Sequence, residues 1–111
     1  MDIPKSATIP DAKLTNYLLI PKPKDDKSKF LAQAGFTQKN PSALRFAIQE
    51  LIATHEAIQG RTNDYGTYYE VIGPLVGSDN RRLLVVTIWL QQAYDGQFRF
   101  VTLTPYRESK S

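Results

Sequence analysis

The stretch Val85–Tyr106 reads VVTIWLQQAYDGQFRFVTLTPY, and the rest of the chain is organised around it. Two apolar runs flank the tripeptide Tyr94–Gly96, the pattern of two antiparallel strands joined by a tight turn. Side chains alternate along a strand, so Leu84, Val86, Ile88 and Leu90 share one side and Leu83, Val85, Thr87 and Trp89 the other. The first set is uniformly aliphatic and is expected to meet the helices, joined by Val101 and Leu103 of the following strand. Thr87, Trp89, Phe98, Phe100, Thr102 and Thr104 then gather on the side away from the helices. Threonine and aromatic pairs stabilise a half-exposed sheet. An exposed patch holding Trp89 and Phe100 is also the mark of a binding surface. The N-terminal arm is a candidate cover for it.

Working outward, Thr67–Leu75 reads as a strand before the G-S-D-N turn, followed by strands at Arg82–Gln91 and Gln97–Thr104. Upstream, the period is helical. Pro10 or Asp11 opens a short helix that places Leu14, Tyr17 and Leu18 on one face. Asp25, Asp26 or Ser28 is placed to cap a second helix through SKFLAQA, with Gly35 as its left-handed stop. Asn40 and Pro41 open a third, whose stripe runs Leu44, Ile48, Leu51, His55 and Ile58 and closes at Gly60. The expected fold is α+β, with two to three N-terminal helices packed on one face of a three- to four-stranded antiparallel sheet. Residues 1–10 read as an extended arm, 11–106 as a single globular domain and 107–111 as a tail.

A chain of 111 residues with 41% hydrophobic residues has enough apolar side chains for a core. It has no cysteine, so disulfides, thiolate metal sites and a cysteine nucleophile are excluded. The net charge of +3 is spread evenly and permits weak attraction to nucleic acid. No apolar run approaches the roughly 20 residues needed to span a bilayer, and the N-terminus lacks the apolar core of a signal peptide. The expected setting is the cytoplasm.

His55 is the only histidine, which excludes a two-histidine acid–base pair; on the apolar stripe it reads as a structural residue. Nucleophile elbow, P-loop and dinucleotide fingerprint are all absent. The acids do not cluster, so no cofactor or metal is expected. Cleavage of RNA by its own 2′-hydroxyl needs none of these motifs. It requires positioning, a proton acceptor, and cations or hydrogen-bond donors at the phosphate, with an aromatic on which a base can stack. Lys29, Tyr65, Tyr68, Thr87, Trp89, Thr102 and Tyr106 are residues of the right type.

The segments KLTNYLLIP, SKFLAQAGFT, DYGTYYEVIGPLVG, VVTIWL and FVTLTPY occur in an order that resembles a bacterial domain family of unassigned function. Its pattern is K-L-x-x-Y-L-L, K-x-x-x-F-x-x-x-G-F, Y-G-x-x-Y-x-V, T-x-W and V-T-x-Y-P, and the resemblance spans about residues 9–106. Such domains stand alone, notably in cyanobacteria, and also form the C-terminal tips of large secreted proteins of the contact-dependent-inhibition type. The resemblance therefore implies a toxin, and the order of helices and strands is similar to the ribonuclease superfamily of barnase, colicin-type nucleases and RelE. It carries the family's lysine onto Lys29, its Y-G onto Tyr65 and Gly66, its T-x-W onto Thr87 and Trp89, and its last threonine onto Thr102. The chain departs from the pattern before Gly35, where the spacing is shorter, and at its T-L-T-P-Y ending.

The expected site has Lys29, Thr87 and Thr102 as catalytic residues and Tyr65, Tyr68, Trp89, Phe100 and Arg107 as substrate-binding residues. Arg99 falls on the wrong face by alternation, which leaves Lys29, Arg81, Arg107 or a helix lysine as the cation. RNA and a cognate antitoxin or immunity protein are the expected partners, with no membrane. The alternative is a non-enzymatic module that binds a protein through the Thr/Trp face.

Overall fold

Prolines and Gly35 punctuate the first half of the chain, and two of the three helices among its described residues are short as a result. The computed structural model describes residues 1–21 and 27–106, apart from the side chain of Asp79. Helix α1, Asp11–Lys13, runs directly into a π-helical turn at Leu14–Leu18, where the Leu19 N–H reaches back to Leu14 O at 3.0 Å. This widened turn buries Leu14 and Leu18 and leaves Tyr17 half-buried beside them. Helix α2 spans Ser28–Ala32 and ends as expected at Gly35, with φ of +86° and the Phe36 N–H on Leu31 O. Asp25 and Asp26 lie outside the described residues.

Helix α3, Pro41–Thr54, starts where the Asn40–Pro41 pair places it. Asn40 does not cap it, however: its Oδ1 accepts the Thr37 N–H at 2.8 Å and its Nδ2 donates to Gly35 O at 3.1 Å. The carboxamide ties the preceding loop instead. Leu44, Ala47, Ile48, Leu51 and Ile52 are buried. The helix ends at Thr54, short of Gly60, with His55 already extended and the Ala57 N–H bonded to Met1 O. Ile58 is therefore not the end of the helical stripe but the start of a strand.

The sheet is a meander in the order β1-β2-β3-β4, all antiparallel: Ile58–Asn63, Gly66–Val76, Arg82–Gln92 and Phe98–Pro105. Every residue of β1 is exposed, so it has no alternation for a sequence reading to find. The other strands alternate, but the faces are opposite to the expected ones. Leu83, Val85, Thr87 and Trp89 are buried, with Tyr69, Val71 and Leu75 beside them on β2. Leu84 is 47% exposed, and Val86, Ile88 and Leu90 are half-exposed. The helices cover the Thr/Trp side of the sheet, and the uniformly aliphatic side faces out.

The third and fourth strands pair with a bulge. Trp89 faces Phe100 and Ile88 faces Thr102, so Val101 has no partner. One extra residue brings Phe98, Phe100 and Leu103 all to the buried side, which strict alternation forbids. Val101 is half-exposed, contrary to its expected place in the core. The N-terminal arm completes the core with Ile3 and Ile9 and pairs with the β4 edge: Thr8 N–H bonds to Phe98 O at 2.9 Å and Phe100 N–H to Thr8 O at 2.8 Å. Arg45 holds the arm's end by donating to Ile9 O at 2.6 Å and pairing with Asp11.

Gly66 opens β2 with φ of +146°, and an added Cβ would lie 1.9 Å from Gln91 O on the neighbouring strand. Both strain and contact oppose a side chain here. Gly66→Ala is expected to lower the unfolding free energy by about 2–4 kcal/mol, read as a drop in the urea midpoint.

Candidate functional site

An indole N–H buried in a sheet must find an acceptor. Trp89 is fully buried, and its Nε1–H donates to Thr87 Oγ1 at 2.9 Å; that hydroxyl in turn donates to Val71 O at 3.0 Å. Two residues apart on one strand, threonine and tryptophan share a face, and this one hydroxyl serves both as donor and as acceptor. Phe100 packs edge-on against the indole with ring centroids 5.3 Å apart. The T-x-W pattern is thus a core device. Thr87, Trp89 and Phe100 were expected on an accessible face and are instead 0% exposed, because the aromatic side, not the aliphatic one, meets the helices. A partner-binding module that uses this face is overturned for the same reason.

A polar cluster does form, at the edge of the sheet. Lys27, just before α2, points its Nζ at Thr102 Oγ1 at 3.0 Å and at Tyr17 OH at 3.3 Å. Thr102 donates to the same phenol at 3.3 Å. Lys13 and Lys27 both lie over the Tyr17 ring, at 5.5 and 5.3 Å from its centroid. Tyr17 is supplied by the π-helical turn and Thr102 by the residue after the bulge, two kinds of irregularity that recur at functional sites. Lysine has three N–H donors. Two meet these hydroxyls, and among the described residues the third has no partner. Such a cluster can hold an anion and stabilise charge that grows on it.

The remaining expected residues scatter. Lys29 is exposed on α2 and lines a shallow cleft with Leu19, Phe36 and Gln38; the lysine that meets Thr102 is Lys27. Tyr68 lies on the outward face with the Arg61 guanidinium 5.5 Å from its ring centroid, and Tyr65 stands exposed at the β1–β2 turn. Arg81 is fastened to Gln33 O at 3.1 Å. Arg99 is exposed, and Arg107 lies outside the described residues. Half-buried His55 places Nδ1 2.8 Å from Thr54 Oγ1. Among the described residues, no three metal-ligating side chains converge and no helix is long and apolar enough to cross a membrane. Sequence reasoning missed Tyr17 and Lys27. The signal for Tyr17 is its place one turn after Lys13 in KLTNYLL, and Lys27 stands two residues before Lys29.

Thr87→Val would strand the Trp89 N–H in the core and is expected to cost about 1–3 kcal/mol in denaturant unfolding. Thr87→Ser keeps the hydroxyl and should cost less. In a Trp89→Phe background the Thr87→Val penalty should shrink, since no indole is left unpaired.

Comparison with known proteins fits this geometry into a wider frame. No curated protein matches the sequence. In structure the chain is similar to one chain of a contact-dependent growth inhibition toxin–immunity protein complex from Klebsiella pneumoniae 342, with a TM-score of 0.62 and 14% identity. The match covers 93% of this chain and 96% of that one, and at this identity it shows a shared fold. Residues 2–107 match the model of a domain of unknown function, DUF6883. The chain belongs to the DUF6883 family.

Proposed function

We propose that the protein is a small ribonuclease of toxin type that cleaves RNA through its own 2′-hydroxyl at the Lys27–Tyr17–Thr102 cluster. The observation that carries this reading is one ammonium within 3.3 Å of two hydroxyls, half-buried at the sheet edge, with a third donor that meets no partner among the described residues. The 2′-oxygen attacks the adjacent phosphorus, the bond from phosphorus to the 5′-oxygen breaks, and a 2′,3′-cyclic phosphate remains. Lys27 neutralises charge on the phosphoryl oxygens, and the Thr102 hydroxyl fixes their position. The 2′-proton passes to water, and the Tyr17 phenol returns a proton to the leaving 5′-oxygen. Lys13 adds positive charge behind the phenol. Kinship of fold with a chain from a toxin–immunity complex supports the toxin setting, as does the net charge of +3 for a polyanionic substrate. A cognate immunity or antitoxin protein is the partner this reading requires, and the cytoplasm, where RNA is, its place of action.

The test is incubation of purified protein with total RNA in EDTA. Lys27→Ala is expected to reduce cleavage about a hundredfold, in the range seen when one charge-stabilising donor is removed. Its thermal midpoint should fall by less than about 8 °C. Thr102→Val and Tyr17→Phe should lose activity in the same way, and Lys39→Ala, on the exposed loop before α3, should lose none. A larger loss in Lys29→Ala than in Lys27→Ala would return the role to Lys29. RNA left intact by the wild type would end the reading.

A further inference from the structure

Two of the most exposed aromatic side chains of the protein stand together at one end of the sheet. Tyr65, in the β1–β2 turn, is 72% exposed, and Tyr94, in the β3–β4 turn, is 82% exposed. Both line one cleft of about 330 Å³, whose floor is Leu90 and whose polar groups come from Asp64 and Gln92. Neither ring contributes to the buried core, yet their backbones are held firmly. The Ala93 N–H donates to Tyr65 O at 2.8 Å and ties one turn to the other. Within the turns, Asn63 Oδ1 accepts the Tyr65 N–H and Asp95 Oδ1 the Gln97 N–H, each at 2.9 Å. Two exposed rings on pre-ordered turns serve recognition better than folding.

The lining narrows the ligand. Asp64 at the mouth repels phosphate and acidic side chains, so the cleft suits a neutral group with a flat face. Gln92 offers an amide that can pair with the edge of a base. Charge beside the cleft has the opposite sign: Arg61 and Arg99 lie on the outward face of the sheet against Glu70. Arg99 is the register partner of Leu90, the floor of the cleft. From there the outward face leads along Tyr68, Ile88 and Val101, which line a second and wider cleft of about 570 Å³. Ile88 is the register partner of Thr102. Aromatic cleft, arginine rim and lysine cluster are therefore continuous over one surface.

From this continuity we infer that Tyr65 and Tyr94 bind an unpaired nucleobase, and that the substrate is single-stranded RNA laid over the outward face of the sheet. The inference rests on the ribonuclease reading and names its substrate class. Only an unpaired base can enter between two rings, since the faces of paired bases are stacked within the helix. Phosphates would follow Arg99 along β4 towards Lys27.

The test uses a fluorescein-labelled 2′-O-methyl oligoribonucleotide, which has no free 2′-hydroxyl and so is not cleaved. Fluorescence anisotropy should show tighter binding of the single strand than of the same strand in a duplex. Tyr65→Ala and Tyr94→Ala should each weaken binding about tenfold, as the loss of one stacking partner does. Tyr94→Phe should restore it, because stacking needs the ring and not the hydroxyl. Unchanged affinity in the double alanine variant, or equal binding of duplex, overturns the inference. So does a wild-type dimer in sedimentation that this variant dissolves, since the cleft would then belong to a second copy. Tyrosine-dependent binding without cleavage of unmodified RNA would sustain this site and end the ribonuclease reading. Undiminished cleavage by the double variant would do the reverse.

Discussion

The hydrogen-bonded chain from the Trp89 indole through the Thr87 hydroxyl to Val71 O decides which way the sheet faces. Tryptophan is the largest apolar side chain available and takes roughly 200 Å² out of water when buried, but its N–H must be satisfied in the same place. Once threonine supplies that acceptor, the side carrying Trp89, Phe98, Phe100 and Tyr69 becomes the better core. Everything else accommodates this. Helix α3 lays Leu44, Ile48 and Leu51 against that side, the arm adds Ile3 and Ile9, and the bulge at Val101 shifts Leu103 inward to join. The aliphatic row Leu84, Val86, Ile88 and Leu90 is left as the outward surface.

The fold class was legible because its signals are periodic: helical spacing in α3, period two in β3, and turn residues between strands. What alternation does not supply is the choice of face. Charge would have supplied it. Glu70, Arg82 and Arg99 all fall on the outward side, and no charged residue of β2, β3 or β4 falls on the buried one. Placing Val101 and Leu103 together in the core required Arg99 to join them, a conflict that marked the assignment as wrong. The resolution lies in the bulge, which depends on pairing across two strands and leaves no trace in either alone. Strand β1 was hidden for a different reason. Exposed on both sides at the sheet edge, it has no apolar rhythm, and its first residue extends the helical spacing of α3 by accident.

The candidate cluster was partly legible. Thr102 and a lysine from the start of the second helix were expected together, and such a pair exists with Lys27 in place of Lys29. Residue type was sufficient to nominate a lysine, but the two candidates differ only in where the first turn of α2 points them. Tyr17 looked like a core residue because Leu14 and Leu18 share its helical face. The π turn widens that face, and its phenol emerges at the sheet edge beside Thr102 while the leucines stay buried.

A structural staple would explain part of the Lys27 cluster, since it links the start of α2 to β4 through one hydrogen bond and to the π turn through another. It does not explain the choice of residues. Joining two elements at a half-buried edge is done at least as well by packed aliphatic side chains, which avoid desolvating a charge. Among the described residues, Lys27 meets two hydroxyls and no carboxylate, so its charge is positioned by groups that do not cancel it. A staple alone gains little from that arrangement. In the proposed ribonuclease an anion arriving from solvent gains more, because the hydroxyls hold the ammonium in place beforehand and little reorganisation remains when charge develops. An ammonium held by hydroxyls from two backbone irregularities, beside a face that carries arginine and tyrosine, is the property that sets this edge of the sheet apart among the described residues.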